Sequence, residues 1–426
     1  MQEMKDSGVE WLGEIPAGWA LRQAGQLADQ AKVPNEGMIE TNLLSLSYGK
    51  VKRRDINAAD GLLPASFETY NVIEPNDIVL RFTDLQNDQK SLRVGRATER
   101  GIITSAYVTV RPLNPSYSRF MYYALHAYDL RKGFYGMGAG VRQGLKWQEA
   151  KYIKLPWPDD AERDRIADYL DEKCAEIDCA VSAAEQSIEE YKAYQRDVVK
   201  RAIVYGACDS LKVKESGVPA IGKMNASWSL VMVKRLAAFF NGDRSDSYPS
   251  GDDIQETGIP FITSGDLNGR FLPGTFSKYI SQEKYNSLKG VKLQRGDVVF
   301  CLRGSVGKCS LNRTEDCGTV ASSLTVARPI CCASEWLNYA LTCSVTTDQA
   351  MATAIGATSA NLAAGVLARA LVPLPPLPEQ RHIAEYLDER CAQIDAAIVA
   401  KRVIIADLKA YKQSLVYETV TGKREV

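Results

Sequence analysis

Basic and amide side chains are grouped in a few polar loops of this sequence, and these residue types bind nucleic acid. Arginine and lysine suit guanine edges and phosphates, whereas asparagine and glutamine suit adenine edges. The candidate DNA-contacting residues in the first half are Tyr48, Lys50, Lys52, Arg53, Arg54, Arg81, Gln86, Asn87, Lys90, Arg142 and Gln143, with Arg93 and Lys146 in the same clusters. Those in the second half are Arg244, Tyr248, Ser264, Asn268, Arg270, Arg303 and Lys308. The simpler alternative is that these residues form an ordinary solvated loop surface.

Two other patterns resemble catalytic motifs, but each lacks a required part. The segment Arg303–Ser310 reads RGSVGKCS and resembles a phosphate-binding loop. However, Leu302 and Cys309 stand where that motif needs a glycine and a serine or threonine. The segment Asn114–Tyr117 (NPSY) resembles the motif with which amino-methyltransferases hold a flipped adenine, with the glycines of 136–140 as a cofactor loop. A plain turn after a strand uses Asn-Pro equally well.

The remaining titratable residues do not combine into a catalytic set. His126 lies in a predicted helix among aromatic residues, which favours a packed side chain. Glu172 and Glu176 are spaced along a predicted helix without an apolar pocket, which is typical of a solvated face. The chain has 2 histidines and 10 cysteines without a C-x-x-C pair, so no zinc site is predicted. We therefore predict a non-catalytic protein.

Composition limits the class of protein further. A length of 426 residues suggests roughly two to four domains, and 45% hydrophobic residues can form real cores. Lysine plus arginine equals aspartate plus glutamate, at 52 each, so bulk charge does not hold this chain to nucleic acid. Local basic patches or the charge of a partner would have to do so. The sequence shows no apolar leader and no run of about 18 apolar residues, so we expect a cytoplasmic protein with reduced cysteines.

The elements that must position the polar loops occur twice in the chain. Ile166 recurs as Ile383 and Asp178 recurs as Asp395, an offset of 217 residues in both cases (383 − 166 and 395 − 178). Within Pro158–Tyr205, Tyr169–Glu172 and Cys174-Ala175 also recur at this offset, as Tyr386–Glu389 and Cys391-Ala392. A fixed period of this length indicates the duplication of a whole domain rather than a solenoid repeat.

Both copies are predicted to be long helices with one narrow apolar stripe. Apolar residues recur at spacings of three, four and seven, which is the coiled-coil period. The predicted seam residues are Ile166, Leu170, Ile177, Val181 and Ile188 in the first helix and Ile383, Leu387, Ile394, Ile398 and Ile405 in the second. About 40 residues make a helix on the order of 60 Å long, which needs a partner stripe in water. We expect the two copies to pair antiparallel, while a plain linker or a homodimerising coiled coil remains open.

Each long helix follows a segment with the same predicted order of strands and short helices. The β-branched strands Ile103–Pro112 and Thr319–Pro329 both end in Arg-Pro, and a short helix follows each. The predicted fold class is α+β, with two similar domains joined by two long antiparallel coiled-coil helices and an internal pseudo-twofold duplication. The predicted boundaries are 1–157 for the first domain, 158–206 for its helix, 207–374 for the second domain and 375–426 for its helix. Because the scaffolds match while the loops differ, the two domains would read different targets.

Two of the recurring motifs resemble a known family. One is S-G-V-E-W-L-G-x-I-P-x-x-W at Ser7–Trp19, with an altered copy at Ser216–Trp228. The other is P-x-P-x-x-x-E-[QR]-x-x-I-A-x-Y-L-D, which ends at Asp388 in the second copy and has Glu162-Arg163 in place of Glu-Gln in the first. Together they resemble the DNA-specificity (S) subunit of Type I restriction–modification enzymes, over essentially the whole chain.

The resemblance implies a function in a larger complex. Each domain would be a target-recognition domain that reads one half of a bipartite site in double-stranded DNA, and the helices would fix the spacing of the half-sites. The helices would also dock two adenine methyltransferase (M) subunits, which would carry the cofactor S-adenosylmethionine. Restriction and translocase (R) subunits would join the same assembly.

Two other classes of function remain open. The chain could be a degenerate DNA adenine methyltransferase, in which case it would bind S-adenosylmethionine by itself. It could also be a coiled-coil adaptor, in which case it would protect no specific DNA sequence even with a methyltransferase partner.

Overall fold

The computed structural model describes most of the chain and divides it into two compact units. The described residues are 3–56, 64, 66–85, 88, 92–137, 144–207, 212–245, 247–315, 318–353 and 362–426. Unit 1 comprises Met1–Glu185 together with Arg402–Val426, and unit 2 comprises Gln186–Lys401. Each unit therefore contains one globular part and a portion of both long helices.

Unit 1 contains twelve short strands, two short helices and the start of the first long helix in the described part of the chain. The strands are β1 (Met4–Asp6), β2 (Glu14–Pro16), β3 (Ala20–Gln23), β4 (Ala28–Ala31), β5 (Leu44–Ser47), β6 (Lys50–Arg53), β7 (Asn71–Ile73), β8 (Ile78–Leu80), β9 (Val94–Arg96), β10 (Gly101–Ile103), β11 (Val108–Pro112) and β12 (Lys154–Trp157). The helices are α1 (Tyr117–Leu130), α2 (Trp147–Ala150) and α3 (Asp160–Tyr205), the last of which continues into unit 2.

Unit 2 repeats this arrangement with its own loops. Its strands are β13 (Val213–Glu215), β14 (Lys223–Asn225), β15 (Ser229–Met232), β16 (Ala237–Asn241), β17 (Ile259–Ile262), β18 (Tyr279–Ile280), β19 (Val298–Cys301), β20 (Cys309–Leu311), β21 (Thr319–Val320), β22 (Leu324–Pro329) and β23 (Leu371–Leu374). Its helices are α4 (Gln282–Ser287), α5 (Ser334–Thr342), α6 (Ser344–Thr353), α7 (Ala364–Arg369) and α8 (Leu377–Val420), the last of which ends in unit 1. The predicted fold class, α+β with two long helices, is confirmed.

The main sheets of the two units have the same strand order. In unit 1 the order is β4-β11-β8-β9, and in unit 2 it is β16-β22-β19-β20, with antiparallel pairing throughout. Strand pairs β3–β12 and β15–β23 also correspond, and each places its second strand directly before a long helix. The duplication seen in the sequence is therefore a duplication of sheet topology.

An ion pair with a buried aspartate explains the arginine near the end of one strand in each main sheet. Arg111 in β11 donates to both oxygens of Asp77 at 2.8 and 2.7 Å, and Arg328 in β22 makes the same pair with Asp297 at 2.8 and 2.7 Å. Both aspartates are almost fully buried, so each needs a charged partner. The hydrogen bonds that Arg111 donates to Asp77 raise the pKa of Arg111, against the effect of burial.

The long helices contain 46 residues in α3 and 44 in α8. Their predicted seam residues are buried, except for Ile405, which is half-buried against the core of unit 1. The exposed positions between them carry mostly charged side chains, which matches the single-stripe pattern of a two-helix contact.

Within each unit the start of one long helix packs against the end of the other. In unit 1, Lys412 of α8 donates to Asp178 of α3 at 2.6 Å, and Lys409 donates to Glu185 at 3.2 Å. As residue numbers rise in α3 they fall in α8, so the two segments run antiparallel. In unit 2, Gln195 of α3 donates to Asp395 of α8 at 3.0 Å, in the corresponding register.

A tryptophan and the first turn of each long helix form the same contact in both units. Trp19 donates from its indole nitrogen to Glu162 at 2.9 Å, and Trp228 donates to Glu379 at 3.0 Å. The two recurring sequence motifs are therefore partners in space. Arg163, the departure from the motif, donates to the carbonyl of residue 158 just as Gln380 donates to that of residue 375, so the substitution preserves this contact.

The end of α8 completes the core of unit 1. Leu415, Val416 and Val420 are buried in the same apolar cluster as residues of the N-terminal strands. Lys423 donates to the carbonyl of Leu12 at 2.7 Å, and the Tyr417 hydroxyl donates to the carbonyl of Trp11 at 3.1 Å. Unit 1 is thus built from the two extremes of the sequence.

The seam makes a direct prediction about stability. Replacing Ile394, which is 7% exposed, by aspartate buries a charge without a partner. We expect Ile394→Asp to lower the free energy of unfolding by at least about 3 kcal/mol. The matched control is Val399→Asp on the same helix, where the side chain is 56% exposed, and it should change stability by less than about 0.5 kcal/mol. Urea denaturation measures both, and equal effects would contradict the seam assignment.

Candidate nucleic-acid interface

The first basic cluster lies on a hairpin formed by β5 and β6. Ser47 pairs with Lys50, which leaves Tyr48 and Gly49 as a two-residue turn with φ of +47° and +76°. Positive φ at both positions is the geometry that matches the twist of a tight hairpin, and it favours glycine or asparagine rather than tyrosine. The Tyr48 side chain is 80% exposed at the tip. A costly conformation that displays a large aromatic ring is a feature of binding sites.

The two faces of this hairpin differ in character. Leu44, Leu46 and Val51 pack into a small apolar cluster on one face. Since side chains alternate along a strand, Lys50 and Lys52 lie on the other face. Lys50 forms an ion pair with Asp178 of α3, and Arg53 forms one with Glu99. The hairpin therefore presents Tyr48 and Lys52 at its surface, while Lys50 and Arg53 already have protein partners.

The second basic cluster lies in the loop that joins β8 to β9, residues 81–93. Arg81 contacts the Asp88 carboxylate at 3.4 Å, and its Nε is buried without a hydrogen-bond partner in the described part of the chain. Gln86, Asn87 and Lys90 of this loop lie outside the described residues, as do Arg142 and Gln143 of the third cluster. Arg54 is half-buried, and Lys146 precedes the first turn of α2.

Arg93, at the end of this loop, is grouped with the candidate DNA-contacting residues, but it does not lie at the surface. Its side chain is fully buried, so the expectation that it contacts DNA is wrong. Its backbone N–H donates to Asp129 of α1 at 2.6 Å. Burial raises the pKa of Asp129 to about 6, although the N–H and the charge of Arg93 act in the opposite direction.

In unit 2 two loops that carry predicted residues lie side by side. One covers residues 263–277 and the other joins β19 to β20 over residues 302–308. Lys308 donates to the side-chain oxygen of Asn268 at 3.1 Å, and Ser310 donates to the carbonyl of Gly269 at 2.6 Å. Asn268, Arg303 and Lys308 are exposed, and Ser264 is half-buried. The structure thus brings the two loops that carry these four predicted residues together, with Asn268 and Lys308 in direct contact.

Two buried aspartates each hold one loop of unit 2, Asp266 the loop 263–277 and Asp243 the loop that follows β16, and sequence reasoning missed both. Asp266 accepts four hydrogen bonds from the backbone and hydroxyl groups of Thr263 and Ser277. Burial opposes its ionisation, but these bonds prevail and lower the pKa of Asp266. Asp243 accepts bonds from Ser245 and from the N–H of Lys289, which lower the pKa of Asp243 to about 2. Aspartate two or three residues from Ser or Thr was the available signal.

The loop held by Asp243 carries the last two predicted residues. Arg244 is exposed and donates to the carbonyl of Ser322 at 3.4 Å. Tyr248 is half-buried and packs edge-on against Phe261, with ring centroids 5.6 Å apart. Arg244 is therefore available at the surface, whereas the ring of Tyr248 mainly supports its own loop.

Arg270 is the second correction among the predicted contact residues. Its side chain is 16% exposed and points to α8, where it forms an ion pair with Asp388 and donates to the Tyr339 hydroxyl at 3.0 Å. Tyr339 also donates to Asp388 at 2.9 Å. In unit 1, Tyr123 and Asp171 make the corresponding bond at 2.6 Å. Arg270 thus strengthens a contact between the domain and its helix instead of facing DNA.

The catalytic look-alikes have structural explanations. His126 is buried and stacks on Tyr122 with ring centroids 5.7 Å apart. Burial, helped by the Lys412 charge, lowers the pKa of His126 to about 4. Asn114 accepts from the N–H of Ser116 at 3.1 Å in a turn before α1. In the described ranges there is no group of three acidic, histidine or cysteine side chains placed to hold a metal ion.

This chain is similar in sequence to specificity proteins of Type I restriction enzymes. A sequence family described as the Type I restriction modification DNA specificity domain matches residues 229–400. The Type I restriction enzyme MjaVIII specificity subunit of Methanocaldococcus jannaschii is 22% identical over 424 residues, which cover 97% of this chain and 94% of that protein. The Type I restriction enzyme EcoBI specificity subunit of Escherichia coli is 40% identical over 63 residues, or 15% of this chain and 13% of that protein.

The fold is also found among solved structures. A chain from a structure of a type I R-M system, described for its complex assembly and conformational transition, superimposes with a TM-score of 0.68 at 16% identity. The match covers 96% of this chain and 99% of that chain. The predicted resemblance to specificity subunits is therefore confirmed. Among the helices of the described ranges, none has the length and apolar character needed to cross a membrane.

The raised pKa of Asp129 predicts an unusual pH dependence of stability. The folded state binds the Asp129 proton more tightly than the unfolded state, in which the pKa of Asp129 is near 3.8. The resulting stabilisation is present below about pH 4 and is lost as the pH rises through about 6. Because Asp129→Asn does not titrate, its stability relative to the parent should rise by as much as about 3 kcal/mol between about pH 4 and pH 8.

Urea denaturation at several pH values measures this difference directly. Asp164→Asn, at an exposed position of α3, controls for the removal of one carboxylate. Parallel stability profiles for Asp129→Asn and the parent chain would show that the Asp129 proton is not bound more tightly in the folded state.

Proposed function

We propose that this chain reads a bipartite site in double-stranded DNA. It is a relative of the DNA-specificity subunits of Type I restriction–modification enzymes, and their DNA specificity domain matches residues 229–400. The globular part of each unit would read one half-site through its polar loops. The chain itself would carry out no reaction.

The observation that carries this proposal is the contrast between scaffold and loops. The two units share strand order, the ion pair between a buried aspartate and an arginine, and the Trp–Glu contact. Their polar loops, by comparison, differ in length and residue type. Two like scaffolds that display unlike surfaces of arginine, lysine and amide groups suit two unlike base sequences.

The long helices would set the distance between the two half-sites. Helices of 44 and 46 residues are roughly 65–70 Å long. Part of each is taken up by packing against a globular part. The remainder is compatible with half-sites separated by about one turn of DNA, roughly 34–36 Å.

Other chains would supply the chemistry and much of the charge. We propose that the helices dock two adenine methyltransferase subunits, which hold S-adenosylmethionine and flip the target adenine, and that restriction and translocase subunits join them. The balance of 52 basic and 52 acidic residues fits a chain that binds DNA together with partners rather than alone. These partners would place the complex in the cytoplasm with the DNA.

Footprinting with the partner tests this function. We expect the full chain, bound to its methyltransferase subunit, to protect two short blocks of DNA separated by a fixed unprotected gap. Replacing the exposed Arg303 by alanine removes a candidate base contact from the unit 2 loops. Arg303→Ala should weaken protection at one block by about tenfold to a hundredfold and leave the other block unchanged.

The matched control is Arg295→Ala. Arg295 and Arg303 precede and follow the same strand, β19, so they lie at its opposite ends. Arg295 is also exposed, and it pairs only loosely with Glu315 at 3.4 Å. Arg295→Ala should protect both blocks like the parent chain. A complex that protects no defined sequence would refute the proposed function.

A further inference from the structure

Arg93 occupies a position whose equivalent in unit 2 is exposed. The N–H of Arg81 donates to the carbonyl of Arg93 at 2.9 Å, and the N–H of Cys301 donates to the carbonyl of Lys308 at 2.8 Å. The paired strands that follow have the same register, Leu80 with Val94 in unit 1 and Phe300 with Cys309 in unit 2. Lys308 points to the surface, whereas Arg93 is fully buried.

The guanidinium of Arg93 binds the loop that it closes. Its Nη1 donates to the carbonyls of Arg81 and Thr83 at 3.1 and 2.8 Å. Its Nη2 donates to the carbonyls of Asp84, at 3.2 Å, and of Asp88. Its Nε donates to the Tyr135 hydroxyl at 3.1 Å, and the Tyr135 ring lies 4.9 Å from the guanidinium carbon. All five N–H donors of an arginine are thus used, and four of them bind one loop.

Loop length explains why unit 1 needs the hydrogen bonds that Arg93 donates to this loop. The loop between Arg81 and Arg93 is longer than the one between Cys301 and Lys308, which turns at two glycines with φ of +75° and +93°. A longer loop has more conformations, and a buried polar group that satisfies several of its carbonyls selects one of them. Asp84, whose carbonyl accepts from Arg93, has a φ of +59°.

Asp88 connects the buried Arg93 to the partly exposed Arg81. The carbonyl of Asp88 accepts from Arg93, while its carboxylate lies 3.4 Å from the Arg81 guanidinium. Arg93 therefore fixes the residue that orients Arg81, which is a predicted DNA-contacting residue with a partly exposed side chain.

We propose that Arg93 is the positioning residue for base reading by unit 1: by binding the carbonyls of Thr83, Asp84 and Asp88 it holds Arg81 where Arg81 is presented to DNA, without touching DNA itself. This inference rests on the proposed function. It gives one half-site a specificity determinant that lies in the interior of the domain.

The test is half-site discrimination by the full chain in complex with its methyltransferase subunit. Binding is measured on the cognate site and on two sites with a single base changed, one in each half. We expect Arg93→Met to lower discrimination at one half-site by at least about tenfold and to leave discrimination at the other unchanged. Arg93→Lys should not restore it, because a lysine has three donors and cannot bind four carbonyls and a hydroxyl.

Two further variants separate positioning from general damage. Arg111→Met leaves the buried Asp77 without its ion-pair partner, so it destabilises the same domain away from the loop, and it should keep discrimination at both half-sites. Tyr135→Phe removes the partner of Arg93 Nε and a long bond from the Tyr135 hydroxyl to the carbonyl of Asp88 at 3.5 Å, and it provides a milder change should Arg93→Met fail to fold. It should lower discrimination at the same half-site by a smaller factor.

Hydrogen–deuterium exchange provides a readout that does not depend on DNA. Arg93→Met should speed exchange in residues 81–85 while β11 keeps the protection of the parent chain. The inference is overturned if a folded Arg93→Met complex discriminates like the parent, if it loses both half-sites alike, or if exchange in the loop is unchanged. A parent complex that protects no bipartite site would instead refute the proposed function, whatever the exchange shows.

Discussion

The structure depends on covering one apolar stripe along each of two long helices. A helix with a single stripe is not stable alone in water, since its tertiary contacts supply most of its stability. Each buried isoleucine or leucine of the seam contributes on the order of 1.5–3 kcal/mol when it is removed from water. Within each unit, the partner stripe belongs to the other long helix. Neither globular part is therefore joined only to its own helix, and each core includes residues from distant parts of the sequence.

Elements with a repeated or periodic signal could be predicted from the sequence. The helix seam followed from apolar spacing, and the shared topology followed from the constant offset between Ile166 and Ile383. The Trp19–Glu162 and Trp228–Glu379 contacts connect motifs that the sequence showed only as separate recurrences. Periodicity reports which face of an element is buried, but it does not report which residues meet across elements.

The direction of individual basic side chains could not be predicted. Arg93, Arg270 and Lys308 all lie in polar loops and look equivalent in the sequence. The structure buries Arg93 among backbone carbonyls, turns Arg270 to Asp388 and leaves Lys308 exposed. Whether such a side chain is buried or exposed depends on the number of unsatisfied carbonyls and carboxylates nearby. That number depends on loop length and on elements far away in sequence. Composition can therefore identify a loop as basic without identifying the residues that face a ligand.

Unit 1 is formed by two separate segments of the chain, and this affects the order in which the protein folds. Domains usually fold as units, in the order in which the ribosome makes them. Here unit 2 is a continuous segment, whereas the core of unit 1 lacks Leu415, Val416 and Val420 until the last part of the chain is made. The globular part of unit 1 is thus begun before that of unit 2 and completed after it. Until then its apolar surface stays open, so a nascent chain stalled late in translation exposes its N-terminal half rather than its C-terminal half.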